Sequence, residues 1–120
     1  MGQQPINGVF LDSEGLIHND YVGAQTAETV QTVVDETGPL IERLRAQRRP
    51  VLILVDASKI THQDAGARRV ASAALVHWSF NKIAVFGAKR YIRYVAMLII
   101  KALGKGATMG YFETREQAVN

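Results

Sequence analysis

The chain reads as an α/β fold: a mostly parallel five-stranded sheet with one antiparallel strand from an N-terminal hairpin, and four helices. Three observations predict it. Short apolar runs alternate with stretches of helical periodicity along the 120 residues. The run at residues 51–55 is continuously apolar, and Lys82 to Phe86 is a second run of the buried type, as in strands covered on both faces. The first two apolar pieces, Gly8-Val9-Phe10-Leu11 and Leu16-Ile17-His18, flank the turn-rich Asp12-Ser13-Glu14-Gly15, which spells a β-hairpin.

After Gly23 the pattern changes. Val30, Val33, Val34, Ile41 and Leu44 recur at helical spacing behind a candidate cap at Thr26, and the segment ends in the basic stretch 43–49. Pro39 interrupts this helix and has no amide hydrogen to donate, so the sequence predicts either a kink near Thr37-Gly38 or two helical pieces. The run 51–55, bounded by Pro50 and Asp56, predicts a central strand followed by a loop to residue 64. Thr61 and Asp64 have capping-box spacing, and an alanine-rich helix is expected over 65–78. A second buried strand over 82–86 ends at Gly87. A helix over 89–103 stops at Gly104-Lys105-Gly106, a strand covers 108–112, and a last helix begins at Thr114. With helices between successive strands, the crossovers are right-handed and the strands parallel. One domain spans 1–120 with a loose tail at 1–7, and the last helix starts so near the end that further chain is expected after residue 120.

Composition narrows the function classes. Hydrophobic residues make up 48% and charged residues 21%, which suits a folded domain, and no cysteine is present to form disulfides or thiolate zinc sites. No signal peptide or membrane span is legible, so a cytoplasmic protein is expected. The net charge of +3 comes from basic clusters at 43–49, 68–69 and 89–93 rather than from one stripe; these complement helix ends, and no nucleic-acid partner is expected.

The element order, the segment "LILVDASKITHQDAGARRV", the strand "KIAVFGA" and the ending "GYFETREQAV" together resemble the SpoIIAA-like superfamily, the fold of STAS domains and bacterial anti-sigma-factor antagonists. The likeness runs from about Gly8 to the end. In those antagonists an aspartate and a phosphorylatable serine open the helix after the central strand. On that pattern Asp64 matches the aspartate and Gly66 falls where the serine would stand; glycine has no hydroxyl, so the resemblance implies a member without the usual switch. Ser58 and Thr61 are nearby hydroxyls for which cap or turn roles account.

No catalytic constellation is legible. Asp56 stands at the end of a central strand, where open α/β sheets bind ligands, but neither a receiver-like acidic pair nor the second aspartate of an aspartyl-nucleophile phosphatase accompanies it. Loop amides at Asp56 and a helix N-terminus at Asp64 explain both carboxylates equally. His62, between them, is a conceivable general base or a solvated histidine. The three histidines, His18, His62 and His77, lack metal-ligand spacing, and no cofactor fingerprint appears. The helix at 89–103 carries more apolar side chains than a sheet-covering face needs, flanked by Arg90, Arg93 and Lys101. Trp78 and Phe80 either line that region or plug the core.

The expected function is therefore a non-enzymatic STAS-like regulatory or binding module, acting on a protein partner, a second copy of itself or a small ligand. Its surface is expected to join Asp56, Ser58, Thr61, His62, Asp64 and Gly66 to Arg90, Arg93, Tyr94, Met97 and Ile100. Two rivals are carried. One is a lipid or amphiphile carrier, by analogy with CRAL-TRIO or Sec14-like domains and with peripheral membrane contact at the apolar helix. The other is an enzyme using Asp56, His62 and Asp64.

Overall fold

The hairpin forms where the turn residues place it. In the computed structural model, which describes residues 7–78, 80–87, 109–112 and 115–119, β1 (Gly8–Leu11) pairs antiparallel with β2 (Leu16–Gln25). Asp12 organises the turn: its amide donates to the Leu16 carbonyl at 2.9 Å, and its Oδ1 accepts from the amides of Glu14 and Leu16 at 2.8 and 3.0 Å. Gly15 takes φ +90°, a left-handed conformation that glycine adopts without penalty, and the Arg49 guanidinium lies where a side chain at residue 15 would stand. Asn7, the last residue of the expected tail, is tied to β2: its Oδ1 accepts from the Val22 amide at 2.8 Å and its Nδ2 donates to Gln25 Oε1 at 2.9 Å.

The strands form one mixed sheet in the order β1-β2-β3-β4-β5, with β3 at Leu52–Gln63, β4 at Lys82–Phe86 and β5 at Met109–Phe112. All pairs but β1/β2 are parallel. Three helices are described: α1 (Ala27–Ala46), α2 (Ala65–His77) and α3 (Arg115–Val119). The expected helix at 89–103 lies outside the described residues.

Two expectations are corrected. First, of the two outcomes expected at Pro39, the split into two helical pieces does not occur: α1 is one continuous helix. Pro39 is exposed, and so is Asp35, whose carbonyl loses its amide partner there, so water rather than the core meets the gap. Thr26 caps the helix as expected, in a reciprocal pair with Thr29: the Thr29 amide donates to Thr26 Oγ1 at 3.3 Å, and the Thr26 amide donates to Thr29 Oγ1 at 2.9 Å.

Second, the expected loop at 56–64 is strand. β3 runs on to Gln63 because β2 runs on to Gln25 and pairs with it, Val22 opposite Lys59 and Gln25 opposite Gln63. Between Asp20 and Val22, and again between Gly23 and Ala24, β3 spends one more residue than β2. Such bulges break the alternation of sides. Ala57 and Ile60 are buried three residues apart, while Ser58, Lys59, Thr61 and His62 are exposed. A two-residue apolar period is therefore absent from a segment that is strand throughout.

The core lies where α1 and the sheet meet. Ile17, Ile41, Leu44, Val51, Ile53 and Ile83 form its buried centre, with Trp78 and Phe80 packed against it. Trp78 also closes α2, its amide donating to the Ala74 carbonyl at 2.8 Å. One polar pair is sealed within the α1–sheet contact. Thr37, 0% exposed, donates from Oγ1 to the Val33 carbonyl at 2.7 Å and accepts from Asn19 Nδ2 at 3.1 Å, and Asn19 is 1% exposed. Among the described residues no helix is long and apolar enough to cross a membrane.

Replacing Thr37 with Val keeps the shape but leaves the Asn19 amide without its acceptor. Urea denaturation is expected to show a loss of about 1–3 kcal/mol, with the m-value unchanged.

Candidate functional site

The register of the sheet decides which sequence-selected groups meet. Asp20 of β2, Asp56 of β3, Phe86 of β4 and Phe112 of β5 are lateral neighbours in one row, so two carboxylates stand side by side next to two phenyl rings. Burial, and then the charge of Asp56, push the Asp20 carboxyl above its ordinary value, while His18, Lys59 and Arg115 pull the other way. Asp20 was not legible as a site residue, because only strand register brings it beside Asp56.

Asp56 is engaged locally. Its Oδ1 accepts from the Ser58 amide at 2.9 Å and from Ser58 Oγ at 2.6 Å. Gly87, at φ +79°, closes over this pair: a Cβ there would come within 2.6 Å of Ser58 Cβ, so β4 can turn away here only with glycine. Beneath lies Tyr21, packed against Ala57 and Ile60, its phenol kept neutral by burial.

Thr61 and His62 follow on the exposed surface of β3, His62 in register with Ala24. Six residues of extended strand separate Asp56 from His62, roughly 20 Å at the usual rise. An extended strand therefore sets Asp56 and His62 apart rather than bringing them together on one bond.

The capping assignment also shifts. Asp64, not Thr61, caps α2: its Oδ1 accepts from the Ala67 amide at 2.7 Å, while its own amide donates to the Gln25 carbonyl at 3.2 Å. Gly66 lies where the starts of α1 and α2 converge. A Cβ added there would meet Ala27 Cβ at 3.2 Å and Asp64 Oδ1 at 3.3 Å, so this position faces a neighbouring helix closely. Arg90, Arg93, Tyr94, Met97 and Ile100 lie outside the described residues. Among the described residues no group of three or more metal-ligating side chains is assembled.

At the hairpin, a pair missed by sequence reading appears. His18 is buried, its Nε2 lies 2.8 Å from Asp12 Oδ2, and Phe10 stacks on its ring with centroids 4.3 Å apart. The hydrogen bond to His18, followed by the Leu16 amide, holds the Asp12 carboxyl below its ordinary 3.8. The spacing of six residues across a turn carries no recognised signature; cross-strand pairing of Phe10 with His18 creates the contact.

The chain is similar to known proteins in family and fold. The model of the SpoIIAA-like family matches residues 16–120. Two solved structures are similar in fold. An uncharacterized protein of the DUF3478 family with a SpoIIAA-like fold, from Shewanella loihica PV-4, is 17% identical at a TM-score of 0.61, with 99% of this chain and 96% of that one covered. The anti-sigma factor antagonist SpoIIAA in its unphosphorylated form is 11% identical at a TM-score of 0.59, with 94% of each chain covered. No curated protein matches the chain.

Two substitutions should respond to pH in opposite senses. Asp20, raised in the folded state, costs stability when ionised, so Asp20→Asn is expected to raise Tm at neutral pH, the gain vanishing below about pH 3.5, where aspartates are protonated folded or unfolded. Asp12, lowered in the folded state, contributes stability above its ordinary value that is lost as pH falls through the lowered one. Asp12→Asn is expected to lower Tm near pH 6 and to converge with the parent only as pH falls through the lowered folded-state pKa. Thermal melts across pH 2.5–7 check both.

Proposed function

Because the chain belongs to the SpoIIAA-like family, we propose that it is a non-enzymatic regulatory module that works by docking a protein partner on the surface formed by the far half of β3 and the start of α2. One observation carries this reading. Beyond Asp56, β3 pairs with β2 but, among the described residues, with no strand on its other side, and it presents Ser58, Lys59 and His62 to solvent. Such a strand offers a partner both backbone and side-chain contacts.

The chemistry of the surface agrees with binding rather than turnover. Asp56 is satisfied by Ser58 and Asp64 by the first turn of α2, so neither carboxylate is held ready against a substrate. Docking here is not gated by phosphorylation at the position where the resemblance puts a serine, since Gly66 has no hydroxyl and sits against Ala27. In this reading the segment 89–103 also contributes to partner binding, with basic Arg90 and Arg93 and apolar Tyr94, Met97 and Ile100, on the strength of its sequence alone.

Photo-crosslinking tests the proposal. A photoreactive amino acid placed at Lys59 or Thr61 is expected to join the protein to one discrete partner in cells, while the same group at Gln31, on the exposed face of α1, is not. Equal crosslinking from Gln31, or none from β3, would count against it. Release of a lipid rather than a protein from the gently purified chain would favour the carrier reading instead.

A further inference from the structure

The other end of β3 carries a second surface. Arg43 and Arg45 occupy the last turn of α1, Arg48 and Arg49 follow it, and the amides of Asn81 and Lys82 bond the Val51 carbonyl, bringing Lys82 to the same end. All five basic side chains are exposed. Three carboxylates share the region, Glu42, Glu14 and Asp12, the last held by His18, so basic side chains outnumber acidic ones there by five to three.

Among the described residues the only ion pair here joins Arg45 to Glu42 at 3.6 Å, between exposed partners, a kind of contact worth little in water. The guanidinium of Arg49 is held on the hairpin, where Nη2 donates to the Glu14 carbonyl at 3.4 Å in the space left by Gly15.

Arg48 adds an observation that the helix dipole does not explain. The chain leaves α1 through a Schellman turn: the Arg48 amide donates to the Arg45 carbonyl and the Arg49 amide to the Leu44 carbonyl, both at 2.9 Å. The residue between must take a left-handed conformation, and Arg48 does so at φ 57°. Glycine or asparagine fits that position with less strain. An arginine stands where the backbone disfavours it.

We propose that this end of the molecule docks an acidic segment of a protein partner, several carboxylates lying against Arg43, Arg48 and Arg49. The guanidinium fork matches carboxylate geometry, and four of the five basic groups are arginine. A lipid surface suits the patch less well, because Leu44, the apolar residue of this turn, is 0% exposed and cannot insert.

The test is fluorescence anisotropy with a labelled decaglutamate peptide at low and physiological salt, alongside melting curves. The intact protein is expected to bind the peptide and to lose affinity with salt. Arg43→Glu combined with Arg48→Glu should weaken binding at least about tenfold, whereas Arg69→Glu, an equal charge change on α2, should weaken it far less than Arg48→Glu. Arg48→Gly should raise Tm while lowering affinity, the signature of a strained residue retained for contact. No binding at low salt, equal weakening by Arg69→Glu, or tighter binding to anionic vesicles or a single-stranded oligonucleotide of equal charge would each overturn the proposal.

Discussion

The parallel pairing of β2 with β3 along their whole length, from Leu16 opposite Leu52 to Gln25 opposite Gln63, is the constraint from which the other features follow. It sets Asp20 beside Asp56. It places the Gln25 carbonyl where it receives the Asp64 amide, and so fixes where α2 begins. Because α1 starts directly after Gln25, the same pairing brings Ala27 against Gly66 and makes the two helix starts converge. A shorter β2 would leave residues 57–63 as the loop that their composition suggests.

That long pairing also decides the chemistry. Extended strand is the form of the chain that spreads residues furthest apart, so the aspartates and histidine crowded between residues 56 and 64 end up strung along a surface. Their local partners are backbone amides and one serine hydroxyl. What remains to act is shape and charge: an exposed strand at one end of β3, an arginine-rich corner at the other.

Sequence carried the elements whose signals are local. The hairpin follows from Asp12 and Gly15, the start of α1 from Thr26, and β4 from its unbroken apolar run and Gly87. It failed where the signal is a relation between strands. Two extra residues in β3 disturb the inside–outside alternation, so "ASKITHQ" looks like a loop although Ala57 and Ile60 are core. Thr61 mimicked a cap because capping-box spacing asks only for residue types, whereas a cap must also leave the strand, and the strand does not end until Gln63. Asp20 and the His18–Asp12 pair were invisible for the same reason: their partners are set by register, which no single segment encodes. Pro39 was read as an interruption, but a proline on the wet side of a helix removes a hydrogen bond where water replaces it.

The pairing of residues 59–63 with β2 is thus the feature on which the account stands, and hydrogen–deuterium exchange measures it directly. If β3 extends to Gln63, the peptide covering those residues should exchange far more slowly than a loop, though faster than the peptide covering 52–56, which is paired on both sides. Exchange within seconds at 59–63, beside a protected 52–56, would show a loop after Asp56. It would remove the separation of Asp56 from His62 and reopen the catalytic reading.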